Sequence, residues 1–112
     1  MKKSKQQYRQ GDVYVEQCKA DRAQLLAQGG KVRERDGGRV VLAYGEVTGH
    51  AHAIASPGVE LIDMPDGSAF LFSENGISLR HEEHAKIDMP AGAYRVIRQR
   101  EYSPEEIRQV AD

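Results

Sequence analysis

The sequence predicts a mainly β fold: a small antiparallel barrel or sandwich, cupin-like in one form, with one short internal helix and a short C-terminal helix. Three observations carry that reading. Apolar runs of strand length recur along the chain, clusters of glycine, proline, aspartate and asparagine separate them about every six to ten residues, and only two stretches have the composition and boundaries of a helix. At 112 residues the chain is the size of one domain with one core.

Residues 1–7 are polar and basic, offer nothing to bury, and read as a flexible tail ahead of a single β-rich domain over 8–112. Gly11-Asp12 turns the chain into a first strand over 13–16, where Val13 and Val15 share a face. Good helix formers follow over 21–28, with Leu25 and Leu26 as the apolar content and Gly29-Gly30 as the stop. Residues 31–36 are charged and read as exposed strand or loop, closed by the tight-turn signal Asp36-Gly37-Gly38. Residues 39–45 form the most apolar run to that point and predict a central strand. It leads into Gly45 and Gly49, where the backbone can turn or come close to another segment. The strand over 50–55 carries Ala51 and Ala53, small enough to pack against a neighbour, and Ser56-Pro57-Gly58 ends it.

Shorter strands are expected over 59–64, 68–73, 77–81 and 85–89, bounded by Pro65-Asp66-Gly67, Glu74-Asn75-Gly76, a bend over 82–84 and Pro90-Ala91-Gly92. Asn75-Gly76 between two apolar runs predicts a β-hairpin. A last strand over 94–102 alternates Tyr94, Val96, Arg98 and Arg100 with Arg95, Ile97, Gln99 and Glu101. Ser103, Pro104 and Glu106 have the spacing of a capping box, which predicts a final helix to about residue 111 with Ile107 and Val110 facing the body.

Sixteen basic and seventeen acidic residues leave a net charge of −1, so general attraction to nucleic acid or to a membrane surface is not favoured as the main activity. No window approaches the roughly 18 apolar residues that cross a bilayer, and Met1-Lys2-Lys3-Ser4-Lys5 is not followed by the apolar stretch of a secretory signal. Cys18 is the only cysteine and cannot form an intramolecular disulfide, so a cytoplasmic location is the default. With no tryptophan and 6 % aromatics the core is lean, and a homodimer interface is expected to complete the burial.

All four histidines fall in two short segments, His50-Ala51-His52 and His81-Glu82-Glu83-His84. On a strand, His50 and His52 point to one side about 7 Å apart at the alpha carbon, within reach of one metal ion. Further ligands would come from His81, His84 or Glu83. Imidazole with carboxylate suits a divalent transition metal, and zinc, iron, nickel and manganese are all open. The helical zinc-protease pattern is excluded, because its histidines are four apart on a helix whereas His81 and His84 are three apart after a strand. The same residues also allow a metal-free reading, in which histidines act as general acid and base on a phosphodiester while Arg98 or Arg100 holds the developing anion. A third reading makes the patch a solvated or structural face of a non-catalytic binding or assembly module.

Gly45, His50-Ala51-His52 and Pro90-Ala91-Gly92 resemble pieces of the cupin motifs. That resemblance implies a double-sheet barrel with metal on inward histidines, here His50 and His52. The usual glutamate shortly after the histidine pair and a histidine after the Pro-x-Gly turn are missing. The combination Gly45-Glu46-Val47-Thr48-Gly49-His50-Ala51-His52, His81-Glu82-Glu83-His84 and Arg98-Gln99-Arg100-Glu101-Tyr102 also resembles a family of small uncharacterised bacterial and phage proteins, which implies no particular activity. The function expected from the residues is metal binding on His50, His52, His81 and His84. Hydrolysis of a small phosphorylated or nucleotide-like substrate follows from it, with Glu83, Arg98 and Arg100 as catalytic candidates.

Overall fold

The computed structural model describes residues 6–44 and 50–98. Residues 1–5 of the expected tail, the turn expected at Gly45 and Gly49, Arg100 and the expected helix over 103–111 lie outside the described residues, as does the side chain of Arg98. In chain order the described elements are β1 (Gln7–Gln10), β2 (Val13–Cys18), α1 (Arg22–Ala27), β3 (Lys31–Val32), β4 (Val40–Tyr44), β5 (Ala51–Ile54), β6 (Val59–Asp63), β7 (Ala69–Ser73), β8 (Ile77–Arg80), β9 (Ile87–Met89) and β10 (Gly92–Arg98). The fold is therefore mainly β. Its strands form two antiparallel sheets, one in the order β1-β2-β10-β7-β6-β3 and one in the order β4-β5-β8-β9, and neither closes into a barrel.

One buried cluster draws on both sheets. Val13, Val15, Leu61, Leu71, Tyr94 and Val96 from the larger sheet share it with Val40, Leu42, Ile54, Ile77, Leu79 and Met89 from the smaller. Period-two alternation explains most of these assignments: Val13 and Val15 point in while Tyr14 and Glu16 are only partly covered. β4 departs from the pattern. Its register to β5 shifts between Val41 and Ala43, so Leu42 is the extra residue of a bulge and Leu42 and Ala43 both reach the main core. Val41 instead joins Ala51 and Ala53 in a small cluster of its own.

α1 lies within the stretch that has helical composition. Asp21 caps it by accepting from the Ala23 N–H at 3.0 Å, and Gly29 takes the chain out at φ 101°. Two other places differ from expectation. A strand precedes the one expected at 13–16: Gln7 to Gln10 are polar, yet they pair with Glu16 to Val13 through backbone groups that their side chains leave available. Asn75-Gly76 is not a hairpin, because β7 and β8 belong to different sheets. Both edges of β7 are taken, by β6 and β10, so the chain must leave that sheet. Ser73 organises the exit, its hydroxyl donating to the Asn75 carbonyl and accepting from the Asn75 N–H. No helix among the described residues is long and apolar enough to cross a membrane.

Candidate functional site

The register of β5 and β8 gathers the histidine segments. Ala53 stands opposite Arg80 and Ile54 opposite Leu79. Continuing that antiparallel register past the ends of the strands sets His52 against His81, Ala51 against Glu82 and His50 against Glu83. The contacts follow it. The His52 and His81 rings lie 4.2 Å apart between centroids. The Ala51 N–H donates to Glu82 Oε1 at 3.0 Å, and His50 Nδ1 stands 3.4 Å from Glu83 Oε2. His81 is the hub, with His50 at 5.7 Å and His84 at 4.7 Å, while His84 also stacks on His52 at 5.8 Å. All four imidazoles thus line one locality.

The turn between β1 and β2 forms the floor. Gly11 has φ 62°, and a Cβ there would lie 2.9 Å from His84 Nε2 and 3.2 Å from His52 Cε1. Glycine is required both by the left-handed backbone and by the approach of two rings. Gly11→Ala is expected to lose about 1–2 kcal/mol of stability from the backbone conformation alone, and to displace the His84 ring. Urea unfolding and the His84 ring proton shifts check this; an unchanged midpoint with unmoved shifts would contradict the packing.

Gln10, at the end of β1 and 2 % exposed, fixes the chemistry of His52. Its amide nitrogen donates both hydrogens, to the Leu79 carbonyl at 3.1 Å and the Ala85 carbonyl at 2.9 Å. Carbonyls only accept, so the amide oxygen must be the atom facing His52 Nδ1 at 2.8 Å, and Nδ1 must carry a hydrogen. In neutral His52 the lone pair is then on Nε2. Asp12 Oδ1 lies 3.5 Å from that nitrogen, where a carboxylate stabilises a cation on this edge of the ring, whether a proton or a metal.

Ligand atoms of His50, His81 and Glu82 all lie within 4.8 Å of one another, a spacing that one ion could bridge. Glu82 is held below its ordinary carboxylate value, first by the Ala51 N–H and then by its own backbone N–H, with His50 and His81 adding to the effect. It is a carboxylate across the neutral pH range. His81 Nδ1 accepts from the Glu83 N–H at 3.0 Å, so its neutral form carries the hydrogen on Nε2. Beside this group, a cleft of ≈ 260 Å³ opens over Ala51, Ala53 and Ala55, walled by Arg39 and Arg80 and ended by His81 and Glu82.

Of the residues singled out from sequence, His50, His52, His81, His84 and Glu83 meet here. Arg98 is placed only by its backbone, which pairs with Val13, and Arg100 is outside the described residues. Gln10, Gly11, Asp12, Glu82, Arg39 and Arg80 also border the site and were not singled out. Gly11-Asp12 is legible as a turn, but nothing local announces which side chains it will meet.

A family model described as Domain of unknown function (DUF8820) matches residues 9–99, a span that takes in every site residue described above. Comparison with curated proteins and with solved structures gave no match.

Proposed function

The chain belongs to the DUF8820 family, and we propose that it is a metal-binding domain in which His50, His81 and Glu82 hold a divalent transition metal, with His52 and His84 beside them. The observation that carries this reading is the 4.8 Å grouping of two imidazoles and one carboxylate. A donor set of two imidazoles and one carboxylate leaves a coordination position open, as catalytic sites do, and it suits zinc, iron, nickel or manganese. Gln10 acts as an outer partner to the cluster by fixing the His52 tautomer. Whichever nitrogen of His81 serves, loading displaces its bond from the Glu83 N–H. From the cupin resemblance this reading keeps only the idea of histidine ligands.

The reaction we favour is hydrolysis of a small phosphorylated substrate, since a bound metal both activates water and polarises an ester. Glu83, exposed beside His50, is the side chain placed to accept a proton at the rim. Location in the cytoplasm and pairing with a second copy belong to the same reading.

Protein purified without a histidine tag is expected to carry about one equivalent of metal by elemental analysis, and His50→Ala and His81→Ala to fall below about a tenth of that. No metal in the wild-type protein after incubation with each of the four ions would end the proposal. A second reading, a non-catalytic binding or assembly module, is favoured by the Gln10 amide, which ties the β1–β2 turn to the 79–85 segment as a structural clamp does. That reading takes over if the histidine variants lose stability in proportion while metal content is nil throughout.

A further inference from the structure

We propose that the cleft over β5 is an oxyanion subsite, in which Arg39 and Arg80 together grip the phosphoryl group of a small phosphate ester. The placement follows from register. Ala51, Ala53 and Ala55 alternate onto the face of β5 opposite His52 and Ile54. Arg80 stands directly across from Ala53 on one side, and Arg39, one place before the Val40–Ile54 pair, stands across from Ala55 on the other. The three alanines line the cleft together with the two arginines, so the smallness of the alanines is what leaves room.

The two arginines are uncommitted. Arg9, Arg22, Arg33 and Arg35 direct their guanidiniums to protein carbonyls or carboxylates, whereas among the described residues neither the Arg39 nor the Arg80 side chain makes a hydrogen bond or ion pair. The carboxylate in the lining, Glu82, accepts from the Ala51 N–H, and the two guanidiniums outweigh its charge. Planar guanidiniums match a phosphoryl group in paired, charge-assisted hydrogen bonds. At ≈ 260 Å³ the cleft is slightly below the common range for small-molecule sites, about 300–1,000 Å³, so it takes a phosphoryl group with a short ester and not a whole nucleotide. His81 and Glu82 close one end, which brings the ester beside the proposed metal ligands.

The inference deepens the hydrolase reading by naming its substrate class, yet it is tested without metal. Calorimetric titration of the EDTA-dialysed full chain with inorganic phosphate and with phenyl phosphate at low salt is expected to show binding of both. Arg39→Ala and Arg80→Ala each weaken that binding about ten- to a hundredfold, the loss of a hydrogen bond to a charged group, and Arg80→Lys retains part of it. Arg22→Ala, remote on α1 and paired with Glu60, leaves it unchanged. Metal content, measured separately on protein not treated with EDTA, distinguishes failure of this subsite from failure of the metal centre. Absence of phosphate binding, equal binding by the Arg39→Ala/Arg80→Ala double variant, or acetate binding as tight as phosphate would each overturn the assignment.

Discussion

Tyr94→Ala is expected to destabilise the domain by about 3–5 kcal/mol, the range for removing a buried aromatic ring, which is much of the 5–15 kcal/mol typical of a whole small domain. Tyr94 is fully buried in the middle of β10, between Gln17 of β2 and Leu71 of β7, so its ring lies where the larger sheet meets the core. It packs edge-on against Tyr8 at 6.2 Å, and its hydroxyl donates to the Pro90 carbonyl at 2.7 Å. Tyr94→Phe keeps the ring and should lose only about 1 kcal/mol, the usual net value of one hydrogen bond. The two variants separate packing from hydrogen bonding, and urea unfolding followed by circular dichroism measures both. Burial also pushes the Tyr94 hydroxyl pKa up, with Tyr8 adding to the effect. The sign of the pH effect follows. An unfolded chain releases this proton near pH 10, before the folded one does. The contribution is therefore complete below that pH and is lost as pH rises through the folded value. Wild type should lose stability between about pH 9 and 11 faster than Tyr94→Phe; parallel pH profiles would show that the phenol is not held as described.

Turn chemistry was legible in the sequence because it is local. Asp36-Gly37-Gly38 closes as a tight turn with both glycines at positive φ, and Pro65-Asp66-Gly67 joins β6 to β7 with Asp66 accepting from Ser68. The choice of strand partner was not legible, because it depends on distant residues. Asn75-Gly76 has hairpin composition, yet both edges of β7 are already filled by β6 and β10. The candidate site divides the same way. Spacing alone puts His50 and His52 on one side of a strand, but only the Ala53–Arg80 register sets His81 across from His52 and turns Glu82 toward the Ala51 N–H. Arg39 and Arg80 read as ordinary surface charges until the alanines between them are seen to line the same cleft.

Replacing Gln10 should have the second large effect, and one that reaches the histidines. Its partners Leu79 and Ala85 are 69 and 75 residues away, so nothing in the neighbouring sequence marks it. Gln10→Leu keeps the bulk and removes the amide. Two carbonyls and the His52 Nδ1–H then lose their partner in a place where Gln10 itself is almost fully covered. An unsatisfied buried group costs about 1–3 kcal/mol, and some of that is recovered if the segment opens to water, so a loss of about 3 kcal/mol is expected in urea unfolding. Gln10→Glu is the sharper probe. An ionised carboxylate cannot donate, so it would face the Leu79 and Ala85 carbonyls with like partial charge while still accepting from His52. Its loss should be larger at pH 8 than at pH 4, where the carboxyl recovers one donor hydrogen. Two-dimensional NMR of the imidazole nitrogens supplies the second readout. Neutral wild-type His52 should carry its hydrogen on Nδ1, and Gln10→Leu should populate the other tautomer, which turns a lone pair toward the vacated pocket and a hydrogen toward Asp12. An unchanged tautomer in the folded variant would mean that a contact other than Gln10 sets it, since Asp12, which faces Nε2, favours the opposite form.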